Sequence, residues 1–350
     1  MHNILLIDAI YIHESGGKAL LGYFIEKLIE QRKDFFILFD KRFTSSILHQ
    51  LSPNQYQLVT ASEGNRKQVY QSISNRATTI FCFANVPPPI QIHKIPVFTY
   101  FHNVLLLSHF FEDNNYSIGR KFILQAKRSY IQWKNQPTYH WIVQSERVRQ
   151  ELSNRLSVNK NQVHVLPFFR EEVLVQHNAH QINKFIYVAD GVPQKNHAVL
   201  LQAWEYLQDR YQLTPELHLT IPACFTELMA SIQQLQHKGM KIINHGVLDK
   251  AELNLLYQES GYLIFPSLRE SFGLPLIEAV QAGCGVLAAD LPYVYDVIRP
   301  SAVFNPVQPQ SIAEVVVEIS SKNELISADI KINNNLQELM NLLNSNASVK

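Results

Sequence analysis

The stretch Tyr262-Leu-Ile-Phe265-Pro-Ser-Leu-Arg-Glu270-Ser-Phe-Gly273-Leu-Pro275-Leu-Ile-Glu278-Ala-Val-Gln-Ala-Gly283-Cys-Gly285-Val286 decides the fold. Its apolar start reads as the end of a buried strand. A short loop with Glu270 and Gly273 follows, and a helix opens at Pro275. Proline suits a first helical turn, where its missing N–H would have no partner anyway. The N–H groups of Phe272, Gly273 and Leu274 then point at open space, and a helix entry after a glycine loop is a ready anion site. Glu270 stands before that entry and Glu278 one turn inside it. Amides for a phosphate, beside carboxylates that accept from hydroxyls, fit a sugar nucleotide.

Outward from this stretch, apolar strand-like runs alternate with helical stretches, which argues for α/β architecture with parallel sheets. The first half reads as strands at 3–8, 35–40, 56–60, 78–83, 95–100, 139–144 and 163–166, with helices at 17–32, 64–75, 116–135 and 145–157. The second half reads as strands at 184–189, 216–221, 241–244, 261–265, 285–289 and 302–304, with helices at 195–209, 224–238, 249–258, 275–283 and 309–320. The polar, aperiodic segment 168–183 divides the halves. This gives domains at 1–170 and 183–325, with a tail at 326–350. A Leu336, Met340, Leu343 stripe in the tail suits a terminal helix that packs back on the first domain.

The 350 residues suffice for two cores, and 46% hydrophobic with 17% charged residues indicates a globular chain rather than disorder. No apolar run reaches the ~20 residues that span a bilayer. The start, Met1 to Asp8, reads as a strand rather than a signal peptide. Cys82, Cys224 and Cys284 are far apart, have no metal-ligand spacing and fit a reducing cytoplasm. The net charge of +1 hides an asymmetry. Residues 1–170 hold 20 Lys+Arg against 11 Asp+Glu, and residues 171–350 hold 11 against 19. Chance surface composition is one reading of the basic half. An anionic partner is the other, and an anionic membrane fits better than nucleic acid, for which no motif is present. The segment 117–134 mixes Arg120, Lys121, Lys127 and Arg128 with Phe122 and Trp133 at helical spacing. It reads either as a buried helix with snorkelling cations or as an interfacial helix on anionic lipid.

The run 262–286 resembles the donor-site motif of family 4 retaining glycosyltransferases, which have the GT-B fold. Glu270 and Glu278 have the family's spacing, Phe272-Gly-Leu-Pro275 its core, and Gly283-Cys-Gly285-Val286 its later part, with Gly285 where proline is usual. The resemblance implies two Rossmann-like domains with parallel sheets facing a cleft. It also implies transfer of a hexose, with retention, from a nucleotide-diphosphate sugar to a hydroxyl of a glycan or lipid-linked saccharide. Glu278 would hold the ribose. Glu270, Ser271 and the amides of Phe272, Gly273 and Leu274 would hold the sugar and diphosphate. Protein cations and amides can stabilise the leaving group, so neither metal nor cofactor is expected, and no Asp-x-Asp run is present.

Other segments take roles from the same resemblance. Gly16, Gly17 and Lys18 follow the first strand, where α/β proteins approach a ligand, and the family's glycine pair lines the cleft there. His102, after the strand 95–100, matches a histidine near the donor sugar. Lys195 matches a lysine that neutralises the diphosphate, Asn196 adds hydrogen bonds at the following helix, and Gly246 lies in the loop that meets the nucleobase. Where the family has arginine, this chain has Asp190. Either Asp190 turns away, or another cation such as Arg269 or Lys18 substitutes, or activity is impaired. Ser145 and Asp249 read as helix N-caps. A nucleotide-sugar epimerase and a catalytically silent sugar-nucleotide binder stay open as alternatives. The expected location is cytoplasmic, on the inner face of the membrane if the basic half meets lipid.

Overall fold

The computed structural model describes residues 4–107, 117–172, 181–322 and 324–345. The chain forms two compact units, Met1–Arg170 with Asn333–Lys350, and Glu171–Ile332. Residue 116 of the predicted helix 116–135 and residues 173–180 of the dividing segment lie outside the described residues.

In the first unit the elements run β1 (Ile4–Ala9), α1 (Ser15–Glu30), β2 (Phe35–Asp40), β3 (Tyr56–Val59), α2 (Glu63–Ile73), β4 (Ala77–Cys82), β5 (Val97–Tyr100), α3 (Ile118–Lys134), β6 (His140–Val143), α4 (Glu146–Leu156) and β7 (Val163–Val165). The strands form one parallel sheet in the order β3-β2-β1-β4-β5-β6-β7. The order reverses between β1 and β4, so the loops beyond their carboxyl ends are the expected place for a ligand. A buried ion pair anchors this end. The Arg66 guanidinium, 1% exposed, donates to Asp8 Oδ2 at 2.7 Å, and the Tyr70 hydroxyl donates to the same oxygen at 2.7 Å. Arg66 also donates to the Val86 carbonyl at 3.0 Å and to Glu63, which accepts from Tyr11 and Tyr130 as well.

The second unit runs β8 (Gln181–Tyr187), α5 (His197–Tyr211), β9 (Glu216–Leu219), α6 (Thr226–His237), β10 (Ile242–Asn244), α7 (Lys250–Glu259), β11 (Ser260–Phe265), α8 (Leu274–Gln281), β12 (Gly285–Ala289), α9 (Pro292–Val297), β13 (Ile298–Arg299), β14 (Ala302–Phe304), α10 (Pro309–Ser320) and β15 (Asp329–Ile330). Its parallel sheet has the order β10-β9-β8-β11-β12-β14, and reverses between β8 and β11. The antiparallel pair β13–β15 and helix α9 are additions to the expected elements. Gly285 opens β12 beside Tyr262 of β11. A Cβ there would come within 2.3 Å of the tyrosine ring and 2.6 Å of the Ile326 carbonyl, and the Tyr262 hydroxyl accepts the Ile326 N–H at 2.9 Å. The chain ends on α11 (Leu336–Ser345), whose Leu336, Leu339, Met340 and Leu343 are buried within the first unit. Ser145 caps α4, and Asp249 with Glu252 forms a reciprocal capping box on α7.

Candidate active site

Lys195 ends a single tight turn, Pro193–Lys195, beyond β8. Its ammonium donates to Glu270 Oε1 at 2.6 Å, and the Ser267 hydroxyl donates to the same oxygen at 2.7 Å. Lys195 and Glu270 are 20% and 13% exposed, so salt screens this pair far less than a surface pair. The surrounding backbone is fastened from three sides. Tyr187 donates its hydroxyl to the Lys195 carbonyl at 2.7 Å, Tyr293 on α9 donates to the Ser267 carbonyl at 2.6 Å, and the Leu268 N–H donates to the Gln194 carbonyl at 2.8 Å. Burial, reinforced by the nearby Glu270 carboxylate, raises the Tyr187 phenol well above its ordinary value and keeps it a donor.

From Glu270 the chain passes Ser271 and buried Phe272 to Gly273, which takes φ 81° and ψ 57°. An L side chain strains there, and a Cβ would come within 2.9 Å of the Leu276 side chain. Among the described residues the N–H groups of Gly273 and Leu274 have no acceptor. No acidic side chain lies in the first turn of α8, so its positive end is open to an anion. One turn inside, Glu278 accepts from the Lys250 ammonium at 3.0 Å and the Tyr257 hydroxyl at 3.4 Å. Lys250 also pairs with Glu172 at 3.2 Å. Carboxylate oxygens have two lone pairs each, so Glu278 keeps capacity for a ligand hydroxyl.

Asn196 is 9% exposed, with φ 60°. Its amide nitrogen donates to the Pro306 carbonyl at 2.7 Å and the Pro266 carbonyl at 3.2 Å. Both amide hydrogens are committed, so this side chain ties three loops together. Next to it His197 Nε2 donates to the Asp190 carbonyl at 2.8 Å, and burial pushes the imidazole down to about 4. Asp190 turns inward in part: its Oδ1 is buried and, among the described residues, has no hydrogen-bond partner. Gly246 lies beyond β10 at φ 71°. In the first unit Gly16 and Gly17 fall within the first turn of α1, and a Cβ on Gly17 would come 3.3 Å from His102 Nε2. The Lys18 ammonium lies over the Phe43 ring. His102 is bracketed by Asn85, which takes its backbone N–H and faces its ring. Among the described residues no three His, Cys, Asp or Glu side chains gather into a cation site.

The structure thus brings Lys195, Glu270 and the α8 entry together in one unit, and Gly17 with His102 in the other. Ser267, Tyr293, Lys250 and Asn85 are added by the fold. Only Ser267 had a local signal, three residues before Glu270.

Residues 169–335 match the sequence model of the family Glycosyl transferases group 1. The chain is 27% identical over 180 residues, 50% of its length, to the O-antigen chain mannosyltransferase RfbU of Salmonella typhimurium. It is 30% identical over 128 residues, 35% of its length, to the serotype-specific mannosyltransferase WbdA of Escherichia coli. These matches cover 47% and 16% of the two relatives, so the chain spans less than half of each. Among solved structures, a glycosyltransferase from Rickettsia africae superposes with TM-score 0.69 at 14% identity over 100% of both chains. Anabaena HepE in complex with UDP and glucose superposes with TM-score 0.62 at 14% identity, covering 98% of this chain and 95% of that one. On these matches residues 169–335 are similar to the group 1 glycosyltransferases, within a chain that has the two parallel-sheet α/β domains of the GT-B fold.

Proposed function

We propose that the chain moves a hexose from a nucleoside-diphosphate sugar to a hydroxyl, retaining the anomeric configuration as family 4 enzymes do. Residues 183–325 bind the donor in this reading, and residues 1–170 bind a glycan or lipid-linked acceptor of polysaccharide synthesis. The observation that carries it is the Lys195–Glu270–Ser267 cluster beside the open amides of Gly273 and Leu274. Lys195 and the amides take the diphosphate, Glu270 and Ser271 the sugar hydroxyls, and Glu278 the ribose. Gly246 lets backbone approach the base, His102 acts with Lys195 and Glu270 in catalysis near the donor sugar, and Gly16, Gly17 and Lys18 serve the acceptor side. Asn196 acts indirectly, by fixing the loop that carries Lys195. The rate comes from fixed charges and dipoles aimed where the leaving diphosphate gains charge, and from orientation of the acceptor.

The two relatives are named mannosyltransferases, so GDP-mannose is the first donor to test and UDP-glucose the second. Acceptor-dependent transfer with an α-linked product, read by NMR, supports the reading. An epimerised sugar nucleotide without acceptor dependence favours the epimerase. Nucleotide binding without turnover favours the silent binder. Within this reading Glu278→Ala is expected to weaken nucleotide binding by about 1–3 kcal/mol, the scale of a lost charged hydrogen bond. Unchanged affinity by calorimetry, in a variant that melts normally, removes Glu278 from the ribose site.

The acceptor unit has a feature that favours a membrane-borne acceptor. Ile131 on α3 packs into the core, while Ile118, Phe122 and Trp133 line the opposite side at 71%, 61% and 71% exposure. Arg120 and Lys127 on the same helix are also exposed, and exposed apolar and basic residues on one helix suit the interface of an anionic bilayer. Arg128 is excluded from that role because its guanidinium donates to the Leu106 carbonyl at 2.8 Å. No described helix is long and apolar enough to cross a membrane. Flotation is expected with phosphatidylglycerol vesicles and not with phosphatidylcholine, weakening as salt shortens the Debye length below ~10 Å. Gln at Arg120, Lys121 and Lys127 should reduce it while donor hydrolysis survives. Protein that stays free of anionic vesicles at low salt points to a soluble acceptor.

A further inference from the structure

We propose that Asn85 is a positioning residue that fixes the tautomer of His102, with the ring proton on Nδ1. Asn85 follows β4 by three residues and stands at φ 66°, a left-handed conformation that asparagine tolerates better than most residues. In that pose Oδ1 accepts the His102 backbone N–H at 2.7 Å, and Nδ2 lies 3.3 Å from His102 Nε2. The two contacts are linked. A backbone N–H can only donate, so it pins the amide oxygen and with it the orientation of the whole amide. The NH2 group is left facing the ring, and it too can only donate. Nε2 is therefore the acceptor, and a neutral imidazole that accepts at Nε2 has its proton on Nδ1.

Nδ1 is buried and has no hydrogen-bond partner among the described residues, so it costs something in either tautomer and the contact at Nε2 decides between them. Phe83 and Tyr100 pack on the ring, with centroids at 6.0 and 5.3 Å, and Gly17 lies on the Nε2 side. The Tyr100 phenol is kept protonated by its own burial. Lys18, next to Gly17, is drawn over Phe43. Burial disfavours the imidazolium and pushes His102 down to about 4. The consequence rests on the placement of His102 in the proposed active site: there the ring serves as a fixed neutral dipole. It is neither a cation for the diphosphate nor a proton carrier near neutral pH.

Asn85→Asp tests this, because aspartate keeps the shape and tolerates the same φ while replacing the NH2 by a second acceptor oxygen. That oxygen requires a proton on Nε2, and its charge favours the imidazolium. Two-bond 15N–1H spectra of the full chain with labelled histidine read the tautomer directly. Wild-type His102 should be neutral with Nδ1–H from about pH 5.5 to 8.5. Asn85→Asp should move the proton to Nε2 and bring the ring's titration into that range. The pH profile of GDP-mannose hydrolysis should gain a matching limb in the variant only. Asn85→Gly, which also suits the φ, should release the fixed tautomer if the aspartate variant does not fold. A wild-type Nε2–H tautomer overturns the proposal, as does an Nδ1–H that persists in both variants. If the tautomer behaves as stated but His102→Gln hydrolyses donor at the wild-type rate, Asn85 still positions the ring and the placement of His102 in the active site is what fails.

Discussion

Alanine in place of Lys195 is expected to lower the kcat of transfer about 10²–10³-fold, the range seen when one preorganised charge-stabilising group is removed. KM should change much less. Charge builds up on the diphosphate as the glycosidic bond breaks, so an interaction that strengthens toward the transition state is lost mainly from kcat. Lys195 is prepared for that moment. Its carbonyl is held by Tyr187 and that of the preceding Gln194 by Leu268, and its ammonium rests on Glu270 at 2.6 Å. The residue five positions earlier, where the resemblance leads to arginine, is Asp190, which leaves more of the charge stabilisation to Lys195. Removing Lys195 also takes a cationic donor from Glu270 and leaves that carboxylate's charge less balanced beside the substrate. Lys195→Ala with Glu270→Gln should therefore lose less than the single changes combined. Steady-state kinetics with GDP-mannose decide the matter, and wild-type turnover in Lys195→Ala would falsify the role.

Asp8→Ala is expected to destabilise the first unit by about 3–5 kcal/mol, because it takes from the buried Arg66 guanidinium the nearer of its two counter-charges, the other being the half-exposed Glu63. The pair does not sit in water that could take over: both side chains are 1% exposed, and Asp8 also accepts from Tyr70. Hydrogen exchange read by mass spectrometry suits a two-unit chain better than one melting temperature. Amides of β1 and β4 should lose about two to three decades of protection, while those of β8 and β11 keep theirs. The apolar double change Asp8→Leu with Arg66→Met should recover much of the loss, since a well-packed apolar pair often matches a buried ion pair. Equal protection in Asp8→Ala and wild type would show that Arg66 finds full compensation from Val86 and Glu63.

The two parallel sheets were legible because their strands are short apolar runs bounded by polar loops, such as Phe35–Asp40 and Gly285–Ala289, and buried strands have that pattern. β13 and β15 were not, since two residues have no period to read. The α8 entry was legible for a local reason: Gly273 and Pro275 each have a backbone preference that acts on the spot. The partners of the site residues were not. Lys250 reaches Glu278 from 28 positions away and Asn85 reaches His102 from 17, and such pairs exist only once the sheets have formed. Asn196 was singled out as the neighbour of a matched lysine, and its partners could not be read from the sequence either: the Pro266 and Pro306 carbonyls, 70 and 110 positions away, take its amide hydrogens.

Gly285 and Tyr262 share one volume, and that limits how this domain can be recombined with others. A phenol whose oxygen receives the Ile326 N–H has grown into the space that a side chain at 285 would otherwise occupy. The pair is thus a single unit of inheritance written in two places. A segment from 266 to 286 borrowed from a chain with proline at the matching point would arrive with a ring that collides with the resident tyrosine. Chimeras of this domain therefore need their seam placed before β11, so that the strand and the motif it supports travel together.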